Sequence, residues 1–265
     1  MNTLRLKFSI RILIAGLIPI IFQCCAPVFV RPPSPPFGHQ KIAHLVSSFK
    51  EQERRVQAFF SSGTLTVADY YSEFDADILI VATRDPLKIR IEVTHPWGVP
   101  IFHILIQETR LHILSFPEKR YYNGHLGDSD PALNFFPLHL DPDQLWGLVK
   151  GYPILGEYYR VESQEGDQIT LLNRELESVR IIDLYPQSDL PSLLSYPEQD
   201  IEVSFSDFEN DEGIYYARNI IFNDSNAWTT LELNIKNMVL NKTIPEEVFE
   251  LKIPPYFERE NSATR

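Results

Sequence analysis

The clearest pattern in the sequence is an alternation of apolar and polar residues that extends over Phe74–Phe116. It is most regular in Leu87–Thr94, where aliphatic side chains occupy every second position and polar or charged ones lie between them. A period of two is typical of a strand with one buried face and one solvated face. Turn-forming residues at Arg84–Pro86 and His95–Gly98 separate the alternating segments. The pattern predicts an antiparallel meander of four strands, Phe74–Ala82, Leu87–Thr94, Val99–Ile106 and Arg110–Phe116.

Two helices are predicted within this strand-rich chain. In Gln40–Phe60 apolar residues recur at three- and four-residue spacing, which predicts an amphipathic helix that ends before Gly63. The second helix is short, with Asp141 suited to its N-cap, Pro142 to its first turn and Gly151 to its end. The apolar residues of this second helix are Leu145, Trp146, Leu148 and Val149.

The remaining segments read as further strands and loops. Loops are expected at Gly124–Pro137 and Gln187–Pro197, an edge strand at Pro245–Leu251 and a frayed tail from Glu258 onward. The additional strands are Thr64–Ala68, Glu118–Asn123, Tyr158–Ser163, Gln168–Asn173, Val179–Leu184, Ile201–Ser206, Ile214–Asn223 and Thr229–Lys236. The chain is therefore expected to be mainly β, of the α+β class.

Composition narrows the possible functions. Hydrophobic residues make up 44% of the 265 residues, which is enough for a sizeable core. The formal net charge of −12 argues against nucleic acid as a partner and against electrostatic docking on anionic lipid. The only two cysteines, Cys24 and Cys25, are adjacent and close to the start, so the body of the chain has neither a disulfide nor thiolate chemistry.

The first 25 residues are predicted to be a signal peptide. Met1–Arg11 is basic, and the apolar run Ile12–Phe22 that follows is shorter than a bilayer span requires. An uncleaved membrane anchor is the alternative interpretation. Residues 26–40, which include five prolines before Gly38, are expected to form an extended tether, followed by a folded domain over 41–258 and a tail over 259–265.

The end of the signal sequence resembles a bacterial lipoprotein signal, in which a cysteine is acylated and becomes the new amino terminus. Cys25 is the preferred acceptor because the residue before it, Cys24, is small. Cys24 is the alternative acceptor: Ile21 then fits the motif, but Gln23 is large. The resemblance implies a protein of the bacterial envelope, and Ala26 after the cysteine implies the outer membrane. Several acyl chains on one cysteine suffice for stable anchoring.

After the first predicted helix, five short segments follow one another along the chain: Phe60–Thr66, Pro86–Val93, Ile104–Gln107, Trp146–Pro153 and Val248–Pro254. Their order resembles that of the LolA/LolB-like family of lipoprotein carriers and receptors. The resemblance covers about residues 41–256. It implies an incomplete, curved antiparallel β-barrel whose open side is covered by helices, with an apolar cavity for acyl chains.

If the resemblance extends to function, the inward-facing residues line a lipid cavity. Each buried methylene of a guest chain would contribute about 0.8 kcal/mol. The implied partners are acylated lipoproteins or another lipid, and the protein would face the periplasm as an outer-membrane-anchored monomer without a cofactor. The expected lining residues are Leu65, Val67, Ile78, Ile80, Ile89, Ile91, Val93, Ile104, Ile106 and Leu233 on the sheet, and Leu145, Trp146 and Leu148 on a helix that acts as a lid.

Two other classes of function stay open. The same inward residues could fill the core of an anchored interaction scaffold, since inward alternation is common to all β-domains. An envelope hydrolase is the third hypothesis, but the sequence offers no nucleophile motif. His103 and His112 would share a face of one hairpin without a third ligand, and Asp75 and Asp77 would point outward, so neither a metal site nor catalysis is expected.

Overall fold

A single curved, open sheet of fourteen strands dominates the computed structural model, which describes residues 35–126, 140–186 and 188–261. The sheet order is β14-β6-β5-β4-β3-β2-β1-β13-β12-β11-β10-β9-β8-β7. The strands are β1 Ala58–Ala68, β2 Glu73–Thr83, β3 Lys88–Thr94, β4 Pro100–Gln107, β5 Arg110–Ser115, β6 Arg120–His125, β7 Arg160–Glu162, β8 Gln168–Leu172, β9 Ser178–Leu184, β10 Pro191–Tyr196, β11 Ile201–Asp211, β12 Ile214–Asp224, β13 Thr229–Leu240 and β14 Glu258–Asn261. The predicted fold class, an incomplete curved antiparallel barrel with helices, is confirmed.

The strand β1 joins two meanders, because it pairs with β2 on one side and with β13 on the other. At Gly63 the register with β13 shifts by one residue, which marks a β-bulge. A Cβ atom at Gly63 would lie 2.0 Å from the carbonyl oxygen of Asn234. Only glycine therefore allows the two backbones to approach this closely at the junction of the meanders.

Helix α1 spans His39–Arg55, so the prediction that it continues to Phe60 was wrong. Phe59 and Phe60 belong to β1 instead. Phe59 is buried and Phe60 is exposed, as expected for successive residues of a strand. The side chain of Asn241 ends the helix, because its Nδ2 donates to the carbonyl oxygen of Arg55 at 2.7 Å while its Oδ1 accepts from the backbone N–H of Gln57.

Helix α2 spans Pro142–Lys150, as its capping residues predicted. Asp141 forms a capping box with Gln144, and Gly151 ends the helix in the left-handed conformation with φ of 75°. Both helices pack on the inner face of the sheet, where they share one core with it. Among the described residues, no helix is long and apolar enough to cross a membrane.

The outer face of the sheet carries a smaller apolar cluster. The segment Pro245–Leu251 contributes to it, and the prediction that this segment is an edge strand was wrong. Part of this segment, Glu246–Phe249, is a 3-10 helix that lies across the outside of the sheet. Phe249 is buried there against Val81 and Leu105. Burial of the Phe249 ring against Val81 and Leu105 holds this segment on the outer face of the sheet.

Two further segments are more regular than the sequence indicated. Pro191–Tyr196, predicted to be part of a loop, forms β10 between β9 and β11. Glu258–Asn261, predicted to be a frayed tail, pairs in parallel with β6. Both strands begin with residues that are uncommon within strands, which hid them from a pattern-based prediction. Most of the predicted loop Gly124–Pro137 lies outside the described residues.

Candidate functional site

A small apolar cavity lies between the inner face of the sheet and helix α2. Its volume is about 50 Å³. Strands β1, β2, β3, β12 and β13 supply most of its wall, and α2 supplies the rest. The lining residues are Leu65, Ile78, Ile80, Ile91, Leu148, Val149, Ile220, Phe222, Leu231 and Leu233. Every one of them is apolar. Ligand pockets usually measure about 300–1,000 Å³, so this cavity is smaller than a typical ligand site.

The structure brings together six of the predicted lining residues, Leu65, Ile78, Ile80, Ile91, Leu148 and Leu233. Val67 is half-buried against the same core. The other predicted residues are buried in the core outside the cavity: Ile89, Val93, Ile104, Ile106, Leu145 and Trp146.

Four lining residues were missed by the sequence analysis, namely Val149, Ile220, Phe222 and Leu231. The signal for Leu231 was present, because it alternates with Leu233 in β13. The contribution of β12 depends on its pairing with β13, where Ile220 lies opposite Leu233 and Phe222 opposite Leu231. Such long-range pairing cannot be read from local periodicity.

The carboxyl end of α2 is fixed to the sheet. The carbonyl oxygen of Gly151 accepts a hydrogen bond of 2.8 Å from the backbone N–H of Ala217 in β12. A Cβ atom at Gly151 would meet the oxygen of Ala217 at 2.7 Å, so the contact requires glycine. This contact ties the carboxyl end of α2 to β12.

Charged side chains hold the other end of α2. The guanidinium of Arg84 lies 2.8 Å from the carboxylate of Asp143 on α2 and 3.5 Å from that of Glu53 on α1. It also lies 5.7 Å from the ring centre of Trp146, which packs against Phe59 with ring centres 5.2 Å apart. The arrangement places the β2–β3 turn, α1 and α2 in mutual contact through Arg84.

The amine of Lys150, the last residue of α2, is buried without a hydrogen-bond partner among the described residues. The side chain is 1% exposed, and Nζ lies 5.4 Å from the ring centre of Tyr152. Burial lowers the pKa of Lys150 to about 7, against a smaller opposing effect of the Glu53 carboxylate. Burial also raises the pKa of Tyr152, so its hydroxyl stays neutral. Sequence patterns did not reveal this buried lysine in α2.

Exposed aromatic side chains occupy three neighbouring hairpin turns at one end of the sheet. Tyr70 and Tyr71 lie between β1 and β2, Trp97 between β3 and β4, and Trp228 between β12 and β13. Their exposures are 77%, 91%, 85% and 73%. Because these strands alternate in direction, the three turns lie at the same end, and Leu231 of the cavity wall is close to it along β13. The turns 69–72, 95–99 and 225–228 contain no lysine or arginine.

The histidines and aspartates considered above as metal ligands or catalytic groups do not come together in one site. His103 lies opposite Glu92 on the outer face, and His112 Nδ1 lies 2.8 Å from the hydroxyl of Tyr121. Burial lowers the pKa of both histidines. Asp75 and Asp77 are exposed. Within 35–126, 140–186 and 188–261, no three His, Cys, Asp or Glu side chains are placed to hold a metal ion. Cys24 and Cys25 lie outside the described residues.

Comparison with known proteins supports the fold assignment. No protein-family model and no curated protein matches the sequence. Among solved structures, the LolA superfamily protein NE2245 from Nitrosomonas europaea is similar over 78% of this chain and 97% of its own, with 13% identity and a TM-score of 0.51. A DUF1329 family protein from Desulfovibrio piger has 11% identity and a TM-score of 0.46, over 79% and 97% of the two chains. The lipoprotein LppX from Mycobacterium tuberculosis has 11% identity and a TM-score of 0.30, over 78% and 99%. On the strength of the first of these matches, the chain has the LolA-like fold that the order of its motifs predicted.

Proposed function

We propose that this protein is an envelope lipoprotein that binds acyl chains, of lipoproteins or of another lipid, between its sheet and helix α2. The observation that carries the proposal is the cavity itself, because all of its lining residues are apolar. Strands supply most of this lining, and α2, which covers the cavity, adds Leu148 and Val149. A lipid carrier needs such a surface, since each buried methylene contributes about 0.8 kcal/mol. The LolA-like fold supports this role. Non-covalent binding of an acyl chain needs neither catalysis nor a cofactor.

The small volume sets a condition on this mechanism. A cavity of about 50 Å³ is too small for an acyl chain, so α2 must move away from the sheet before lipid enters. Movement of α2 away from the sheet would expose its apolar face and the facing strands together. Exposure of that surface to water is unfavourable, which favours either a bound chain or the closed form.

We also propose that the end of the sheet with the three aromatic turns faces the outer membrane, to which the acylated Cys25, or alternatively Cys24, anchors the chain. Tyrosine and tryptophan prefer the bilayer interface because one part of the ring system is apolar and the other can hydrogen-bond. The turns carry no basic residue, which suits a neutral lipid surface more than an anionic one. The part of the cavity wall formed by Leu231 would then lie towards the membrane that supplies or receives lipid.

A charge in the cavity is expected to abolish lipid binding. Leu233→Glu places a carboxylate against apolar neighbours, so retention of a fluorescent fatty acid should fall by at least about tenfold. Leu233→Trp, which fills the cavity without a charge, should have the same effect and keep the fold. Asn237→Glu, exposed on the same strand, adds an equal charge and is the control. Native mass spectrometry of residues 26–265 from an envelope fraction measures the lipid directly.

The alternative function is that of an anchored scaffold with a filled core, and the small cavity is the observation that favours it. A clean mass without added lipid, together with no fatty-acid uptake by the unmodified protein, would establish that alternative. Unchanged uptake in both Leu233 variants would instead show that lipid binds elsewhere.

Removal of the exposed aromatic rings is expected to weaken membrane contact. The triple variant Tyr71→Ser, Trp97→Ser and Trp228→Ser should bind phosphatidylethanolamine-rich vesicles about tenfold more weakly than the unmodified body, in sedimentation at low and high salt alike. The control is Phe60→Ser with Val239→Ser, which removes two exposed apolar side chains paired at the opposite end of β1. Equal vesicle binding by both variants would contradict the proposed orientation.

A further inference from the structure

The amine of Lys150 occupies an unusual place for a lysine. It lies on the side of α2 that faces α1 and Tyr152, whereas Leu148 and Val149 of the same helix line the cavity. The side chain is 1% exposed, and Nζ has no hydrogen-bond or ion-pair partner among the described residues. A charged ammonium in such a place loses its hydration, and no hydrogen bond or ion pair compensates for that loss.

The groups that face this amine do not neutralise it. Glu53 on α1 is the carboxylate whose charge acts on it, and the guanidinium of Arg84 from the β2–β3 turn acts in the opposite sense. Arg84 is itself within ion-pair distance of Glu53 and of Asp143 on α2, which weakens the field of those carboxylates at Lys150. Tyr152, on the segment after the helix, offers only the face of its ring.

We propose that the buried amine of Lys150 makes α2 a pH-sensitive lid over the cavity, one that opens more readily as the pH falls from alkaline towards neutral. In the open form α2 would lift from the sheet, with loss of the hydrogen bond between Gly151 and Ala217 and of the ion pair between Asp143 and Arg84. In the open form Lys150 reaches water as an ammonium, and Leu148 and Val149 leave the cavity wall. This inference depends on the proposed function only where it assigns the lid a role in lipid entry.

The direction of the pH dependence follows from proton binding. In the closed form the pKa of Lys150 is about 7, whereas in the open form it returns towards its ordinary value of 10.5. Between these values the open form binds the proton and the closed form does not. Each unit of pH therefore shifts the equilibrium by up to about tenfold, towards the closed form as pH rises. Below the lower value both forms are protonated and the dependence disappears.

Hydrogen exchange of the α2 amides tests the lid. Measured at about pH 7, 8 and 9 and corrected for intrinsic exchange, their protection in the unmodified protein should fall by up to about tenfold for each unit towards neutral. The amides of β1–β3 should keep theirs. Lys150→Met, which retains most of the length of the side chain without the amine, should raise the protection of α2 and remove its pH dependence. Lys50→Met is the control, because Lys50 is exposed on α1 yet also lies over a tyrosine ring.

Two results would overturn the lid. One is the same pH dependence in Lys150→Met as in the unmodified protein. The other is a parallel loss of protection in α2 and in the strands, which would show that Lys150 acts on global unfolding. Fatty-acid uptake separates this inference from the proposed function. Slower uptake in Lys150→Met links the lid to lipid entry, whereas the expected exchange without any uptake leaves the lid valid and removes the carrier role.

Discussion

Replacement of Gly63 by alanine is expected to destabilise the protein by about 3 kcal/mol or more. The added Cβ would lie 2.0 Å from the carbonyl oxygen of Asn234, 2.9 Å from its carbonyl carbon and 3.0 Å from the Cα of Ile235. All three atoms belong to the backbone of β13, so no side-chain rotation can relieve the contact. β1 and β13 must separate at the bulge and lose hydrogen bonds between the two meanders.

Urea unfolding measures this effect, with Gly38→Ala as the matched control. A Cβ at Gly38 would have no atom within 4 Å, and the residue precedes α1 with φ of −70°, so the same substitution there should change stability by less than about 1 kcal/mol. Equal midpoints for the two variants would show that the sheet does not require the close approach at Gly63.

Trp146→Ala is expected to have an effect of similar size, a loss of about 3–5 kcal/mol. The indole is fully buried, packs on Phe59 and lies beneath the guanidinium of Arg84. Its removal leaves a void between β1 and α2 that these neighbours cannot fill without rearrangement. Because Trp146 is on the helix that covers the cavity, α2 should also lose its hydrogen-exchange protection first.

Trp97 gives a control of the same chemistry. Trp97 is 85% exposed in a hairpin turn, so Trp97→Ala should alter the free energy of unfolding by no more than about 0.5 kcal/mol. Trp146 and Trp97 should thus separate stability from membrane contact, since of these two residues Trp97 alone belongs to the aromatic turns. A variant of Trp146 as stable as the variant of Trp97 would mean that α2 is not seated through its indole.

The sequence predicted β3 closely because its buried aliphatic residues alternate with less buried polar ones. Leu87–Thr94 was predicted and Lys88–Thr94 is observed. Helix α2 was found from its caps, since Asp141, Pro142 and Gly151 act locally. The end of α1 was misplaced because Phe59 fits an apolar helix face as well as a strand, and the decision depends on Asn241, which is distant in sequence.

The site was predicted only in part, for a related reason. Inward-facing residues of β1–β3 could be selected by their period, but periodicity does not distinguish Ile91, at the cavity, from Ile89, within the core. Lys150 shows most clearly what cannot be predicted from local sequence. A lysine in the last turn of a helix is favourable for the helix dipole and is normally solvated. Only the packing of α1 and Tyr152 around it shows that its amine is buried.

The central position of β1 has a consequence for the order in which the chain acquires its structure. The strand is the first to be synthesised, yet one of its two neighbours, β13, is nearly the last. Until β13 arrives, β1 is an edge strand that presents unpaired backbone groups and the inward side chains of Phe59 and Leu65 to other chains. Contacts so distant in sequence also slow folding. A fragment that stops before Thr229 would thus be prone to aggregate, even though it contains the whole first meander.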